Sequence, residues 1–230
     1  MPALPMKPQR PRAAPERQAA LEQYRRRAGV YDLELMAFEP IRRQAVQALA
    51  LRPGDTVLDV GCGTGLSFEL LEAQVGHGGR VVGIEQSPEM LARARERVHR
   101  MHWRNFSLVC APVEEGQLPQ AADAADAALL LFTHDILRRP EAVELVLAHL
   151  RPGARLVAAG LKWAHPWAHP WAHPWAWPTN LFVWSAALHS VSSLEGLDAP
   201  WSYLATRVAR LEVQSTLFGS VYIASAELAP

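Results

Sequence analysis

Residues 57–65 read VLDVGCGTG, and this stretch decides the fold. An apolar, β-branched run ends in Asp59, and Gly61, Gly63 and Gly65 follow at alternate positions. Glycines there let the backbone turn through left-handed conformations and approach a ligand with no Cβ in the way. From Gly65 to Val75 the pattern is helical, so the free N–H groups of a helix start face the same turn. Strand, glycine turn and helix in this order make a nucleotide-binding connection. No Lys-Ser or Lys-Thr pair follows the glycines, which argues against a triphosphate loop.

Working outward, RVVGIE (80–85) reads as a second strand ending in Glu85, where a carboxylate can accept both hydroxyls of a ribose. FSLVC (106–110), DAALLLF (126–132) and ARLVAAG (154–160) continue the series of strands. Helical patterns over Pro88 to Met101 and Pro140 to Leu150 separate them, and a helix over Pro40 to Leu49 precedes the first strand. LEVQSTLF (211–218) and SVYIASAEL (220–228), divided by Gly219 alone, predict an antiparallel pair. The fold class expected is α/β: a doubly wound sheet of five parallel strands with a C-terminal antiparallel hairpin.

Composition sets the outer limits. A chain of 230 residues that is 50% apolar can bury a core, and 23 basic against 23 acidic side chains argue against a dedicated nucleic-acid binder. The balance conceals a cationic arm, because residues 1–30 hold Lys7, Arg10, Arg12, Arg17, Arg25, Arg26 and Arg27 against Glu16 and Glu22. Residues 1–15 contain five of the 18 prolines and predict a disordered tail, with a first helix over Glu16 to Arg27. Cys62 and Cys110 cannot build a disulfide framework, and no apolar run reaches the length of a membrane span. A cytoplasmic protein is expected, with membrane association left open.

Trp163 to Leu194 contains no Asp, Glu, Lys or Arg and opens with the tandem repeat WAHP WAHP WAHP WAWP. Its prolines remove a donor from every turn, so a regular helix is excluded until about Asn180, from which a helix to Val191 is expected. His165, His169 and His173 invite a metal reading, but no carboxylate or cysteine joins them between 163 and 194, and no metal is expected. Six of the eight tryptophans lie in this insert, and tryptophan favours the membrane–water interface. Slippage expansion of a variable loop, peripheral lipid contact together with the basic arm, an apolar lid and a dimer contact all remain open.

The motifs VLDVGCGTG, Glu85 at its strand end, SPEMLARARERV (87–98) and LRPGARLV (150–157) resemble those of class I S-adenosylmethionine-dependent methyltransferases over most of Leu49 to Gly160. The resemblance implies a Rossmann-like fold with an N-terminal helical lid, and S-adenosylmethionine as cofactor. Asp59, Gly61, Gly63 and Gly65 would hold its methionine end, Glu85 the ribose, and Gln86 and Met90 the adenine side. Where many members carry an Asp for the adenine amino group, CAPVEEGQLP (110–119) offers Ala111, Pro112 and Val113, so either backbone groups or Glu114 would bond the amino group, or the loop, with Val113, would only pack against the adenine plane. The domain is expected over 16–230, with 161–208 as an acceptor-site cap.

The fourth strand runs into Phe132, Thr133 and His134, where methyl group and acceptor should meet. His134 is a candidate base, since imidazole can take a proton near neutral pH. The region around Tyr24 and Tyr31 resembles the lid of methyltransferases acting on phospholipid headgroups, quinones and small amines, which makes Tyr31 a candidate to line the site. The expected acceptor is a small or lipid-like amine, phenol or quinone, with no nucleic-acid partner and a monomer or homodimer as the assembly. A nicotinamide-dinucleotide oxidoreductase, which shares the glycine turn, and a non-catalytic S-adenosylmethionine-binding scaffold stay as alternatives.

Overall fold

The computed structural model describes residues 36–115, 124–164, 178–185 and 195–229. Strands β1 (Thr56–Val60), β2 (Arg80–Glu85), β3 (Phe106–Cys110), β4 (Ala125–Leu131), β5 (Leu150–Leu161), β6 (Arg210–Thr216) and β7 (Val221–Glu227) form one sheet in the order β3-β2-β1-β4-β5-β7-β6. The first five are parallel, and β7 runs antiparallel to both β5 and β6. The order reverses between β1 and β4, and in such sheets the crevice outside the carboxyl ends at the reversal is where ligands bind.

Strand alternation divides the core into two halves. Val57, Val81, Leu129 and Val157 face helices α1 (Glu39–Ala48), α2 (Phe68–Val75) and α3 (Pro88–Arg100). Leu58, Val82, Leu130 and Leu156 face α4 (His134–Leu137), α5 (Pro140–Ala148) and α7 (Ser202–Ala205). Period two therefore puts Asp59, two residues after Val57, on the α1 side, and Glu85, four after Val81, on the same side. Gly83 lies between Val81 and Glu85 because a Cβ there would come within 2.8 Å of Leu108 and 3.0 Å of the Cys62 sulfur.

Helix ends follow local chemistry. Ser87 caps α3, its Oγ accepting the Met90 N–H at 3.3 Å, with Pro88 in the first turn and Arg97, His99 and Arg100 in the last. The helix expected from Gly65 begins instead at Phe68, because Gly65 and Phe68 spend their N–H groups on tight turns to Cys62 and Gly65.

The hairpin also differs from expectation. Gly219 alone cannot reverse a strand, and the turn takes Leu217–Gly219, whose φ values are 49°, 56° and 85°. Of the helix expected over 180–191, residues 178–185 are helical and form α6; the remainder lies outside the described residues. Also outside them are the tail, the first helix, the lid with Tyr24 and Tyr31, and the repeat histidines. No described helix is long and apolar enough to cross a membrane.

Candidate active site

Asp59, the penultimate residue of β1, is buried at 2% exposure, and its Oδ2 has no hydrogen-bond partner among the described residues. Burial raises its pKa from 3.8 to about 7; the Arg42 guanidinium pulls it down and the Glu85 carboxylate adds to the rise. A buried carboxyl in that state is poised to ionise when a cation reaches it. Arg42, buried on the inner face of α1 and ion-paired with Glu39, lines the same small cavity as Asp59, Gly61, Gly63, Ser67 and Phe132. One cavity thus holds a fixed positive charge and a latent negative one, a pair matched to an amino acid's carboxylate and ammonium.

Glu85 stands at the neighbouring strand end. Its Oε2 accepts the Gly63 N–H at 3.0 Å and its Oε1 accepts the Ser87 N–H at 2.8 Å. Burial pushes its pKa up, while the backbone donors of Ser87, Gly63 and Gln86 pull it back. The glycine turn is further held by Gly61 and Cys62 N–H groups on the Ile84 carbonyl and by Arg97 Nε on the Thr64 carbonyl. Cys62 is buried beneath the turn, and burial pushes its thiol up, so it is a packing group.

Gly61 has φ 71°, and a Cβ there would lie 2.5 Å from Thr133 Cγ2. The β1 turn and the end of β4 are therefore in direct contact across the switch point. Phe132 follows β4 in a left-handed conformation with φ 56°, and its ring meets that of Phe38 edge-on at 5.0 Å. The Phe38 ring lies 6.4 Å from Phe182 of α6, so three rings lead outward from the cavity.

His134 is buried at the start of α4 rather than open at the crevice edge. Its Nε2 lies 3.0 Å from the Glu195 carbonyl, an acceptor, so Nε2 carries the proton. Nδ1 is buried with no partner among the described residues, and burial lowers the pKa of the ring. Arg138 pairs with the Glu195 carboxylate at 3.0 Å, and the Trp163 N–H donates to the Leu197 carbonyl at 2.9 Å. Residues 195–197 thus form a strap from α4 to the end of β5. Lys162, buried beside it, donates from Nζ to the Trp163 carbonyl at 3.3 Å, and burial lowers its pKa.

The structure therefore gathers Asp59, Gly61, Gly63 and Phe132 around one cavity, with Glu85 bonded to its rim. Gly65 lies against the Phe68 ring, and Gln86 is half-buried after Glu85. Met90 is buried at 1% exposure within α3, and Val113 is buried in the core against the opposite face of the sheet from Glu85. Tyr31 lies outside the described residues. Arg42 and the strap residues Arg138 and Glu195 were not evident in the sequence. The signal for Arg42 was present: it sits four residues before Val46, so a charge falls on the buried stripe of an amphipathic helix.

A profile described as a methyltransferase domain matches residues 57–153. A 2-phytyl-1,4-naphtoquinone methyltransferase from Thermosynechococcus vestitus is 31% identical over 166 residues, covering 71% of this chain and 68% of that protein. A demethylmenaquinone methyltransferase from Tropheryma whipplei is 35% identical over 129 residues, covering 54% of this chain and 48% of that protein. Among other matched relatives, the chain spans between 30% and 50% of their length. The crystal structure of a SAM-dependent methyltransferase from Aquifex aeolicus shares the fold, with a TM-score of 0.55 at 22% identity over 82% of this chain and 89% of that one.

Proposed function

The chain belongs to the class I S-adenosylmethionine-dependent methyltransferases, and on that footing we propose that it methylates a lipid-like aromatic acceptor of the quinol class. The observation that carries the methyl-transfer reading is Asp59, whose buried Oδ2 has no hydrogen-bond partner among the described residues and which shares a cavity with Arg42 beside the glycine turn. Those groups fit the family's cofactor: Asp59 would take its ammonium, Arg42 its carboxylate and Glu85 its ribose hydroxyls. Gly61, with no Cβ, leaves the turn open to it. When bound, S-adenosylmethionine supplies an electrophilic methyl on sulfonium, and what remains after transfer is a neutral thioether.

Methyl transfer from a sulfonium depends mostly on alignment of donor and acceptor. Here the alignment would come from the contact of Gly61 with Thr133, which ties the cofactor turn to the acceptor side. O-methylation releases the hydroxyl proton, while ring methylation proceeds from the ionised hydroxyl and releases the proton of the methylated carbon as the ring rearomatises; either way one proton must be taken up. His134 would accept it at Nδ1: the Glu195 carbonyl holds the ring with its proton on Nε2, and burial, which lowers the ring's pKa, keeps Nδ1 unprotonated before transfer. The rings of Phe132, Phe38 and Phe182 suit an apolar, flat acceptor, and two relatives act by name on naphthoquinone-type molecules.

The test is incubation with methyl-tritiated S-adenosylmethionine and reduced demethylated naphthoquinones of short and long side chain. Label in the recovered quinone is expected. Binding of S-adenosylhomocysteine by calorimetry with no label in quinone, amine or phenol pools would return the non-catalytic scaffold. Heat with a nicotinamide dinucleotide and none with S-adenosylhomocysteine would return the oxidoreductase.

A further inference from the structure

Seven large apolar side chains are exposed among the described residues, and five of them lie on two neighbouring elements at the site mouth. Leu181, Phe182 and Trp184 belong to α6, with exposures of 63%, 49% and 46%; Leu217 and Phe218 form the β6–β7 turn, at 45% and 71%. Both elements rest on Ala164. Asn180 exchanges two hydrogen bonds with its backbone, at 2.8 and 3.0 Å, and a Cβ at Gly219 would lie 3.8 Å from its atoms. Val183 is fully buried, so α6 is anchored by one side chain while its larger neighbours are turned outward.

The turn supplies a second observation. Leu217 and Phe218 both hold left-handed backbone, with φ 49° and 56°. Such a conformation is strained for a bulky residue where Asn or Gly would be tolerated. Two apolar residues are nonetheless kept there and displayed. The patch is also continuous with the catalytic cavity through Phe182, Phe38 and Phe132.

We propose that this rim is a docking surface for an anionic lipid bilayer, from which the acceptor passes directly to the cavity. Charge and composition select that occupant. The segment holding α6, Trp163 to Leu194, contains no charged residue and six of the eight tryptophans, the composition of an interfacial anchor. Seven basic side chains against two acidic ones lie in residues 1–30. The last of them, Arg27, precedes Phe38 at the patch by a tether of at most ~40 Å. Aromatic anchor and basic arm together give the two signals that stable peripheral attachment requires. The inference rests on the lipid-acceptor reading only for the traffic it explains.

The experiment is vesicle flotation of the full chain with phosphatidylcholine alone and with phosphatidylcholine plus phosphatidylglycerol. Binding is expected to the anionic vesicles and to weaken with salt. A variant carrying Leu181→Ser, Leu217→Asn and Phe218→Asn should bind them at least roughly tenfold more weakly. It should keep its affinity for S-adenosylhomocysteine and its turnover of a short-chain, water-soluble quinol, since Asn relieves the turn and no altered residue lines the cavity. Equal vesicle binding by wild type and variant, or no binding by either, overturns the proposal. So does a wild-type dimer that the variant converts to monomer, which would make a second copy the occupant. Vesicle binding without quinol methylation would instead overturn the acceptor reading and leave the docking surface standing.

Discussion

The backbone N–H of Gly63 donates to Oε2 of Glu85 at 3.0 Å, joining two residues 22 positions apart and locking the glycine turn to the end of β2. The carboxylate proposed to hold the ribose is thus fixed in place by the glycine turn beside it. Glu85→Ala should weaken S-adenosylhomocysteine binding by ~2–3 kcal/mol, since a charge-assisted contact and the turn's anchor are lost together. Glu85→Gln, which keeps one acceptor oxygen, should lose about half of that. Isothermal calorimetry reads both, and equal affinities for all three proteins would exclude Glu85 from the site.

Asp59, if it receives the cofactor's ammonium as proposed, should link binding to pH. Its folded pKa of about 7 lies above the ordinary 3.8, so the folded chain retains a proton the unfolded chain gives up. Its stabilisation of the free protein is complete below about pH 4 and is lost as pH rises through 7. An arriving ammonium favours the ionised form, so binding should release up to one proton. Affinity for S-adenosylhomocysteine should then rise with pH, by about tenfold per unit at most, and level off above 7. Asp59→Asn should flatten that profile. Arg42→Gln should weaken S-adenosylhomocysteine while leaving 5′-methylthioadenosine, which has no amino-acid group, nearly unaffected.

The contact between Gly61 and Thr133 predicts a specific rescue. Gly61→Ala adds a methyl 2.5 Å from Thr133 Cγ2 in a left-handed residue. The expected loss of stability is ~3 kcal/mol, from overpacking and backbone strain combined. Thr133→Ser deletes Cγ2, so the double variant should recover ~1–2 kcal/mol and leave the backbone part of the cost. Urea denaturation of the four proteins measures the coupling, and additive losses would show that the two residues do not press on each other.

His134 should act in the opposite pH direction to Asp59. Burial lowers its pKa below 6.5, the Glu195 carbonyl offsetting part of that, so the unfolded chain takes up a proton first. Stability from His134 is present above pH 6.5 and lost as pH falls below it. His134→Gln keeps a donor for Glu195 and removes the titration, so its melting temperature should fall less than that of the wild type between pH 6.5 and 5. His134→Ala also frees the strap, and the Trp163 amide, bonded to Leu197, should exchange about tenfold faster, a cost of ~1–2 kcal/mol. An unchanged Trp163 amide would mean that the strap is held without His134.

The parallel sheet was legible because its strands are short apolar runs bounded by turn residues, buried in β1 and β2 and half-buried in the edge strand β3, and TVLDV, RVVGIE and FSLVC match β1, β2 and β3 residue for residue. Asp59, Gly61, Gly63 and Glu85 were legible for the same reason: a strand end is a fixed address in this fold. What was not legible depends on contacts distant in sequence. Arg42 joins Asp59 only once α1 lies on the sheet, and Glu195 reaches His134 across 61 residues. The hairpin turn was misplaced because two bulky residues in left-handed backbone run against every local preference.

The paired hydrogen bonds between Ala164 and Asn180 bear on heredity as well as on structure. They join two residues 16 positions apart, on either side of most of the WAHP units, so the anchor itself does not depend on the number of units between them. Closure entropy grows only logarithmically, about 0.2 kcal/mol for each added four-residue unit. Gene copies gaining or losing a unit would then encode chains of near-equal stability. Deleting residues 165–172, two whole units, should therefore leave the melting temperature and S-adenosylhomocysteine affinity unchanged, and a population of strains should be polymorphic in length here while uniform across the sheet.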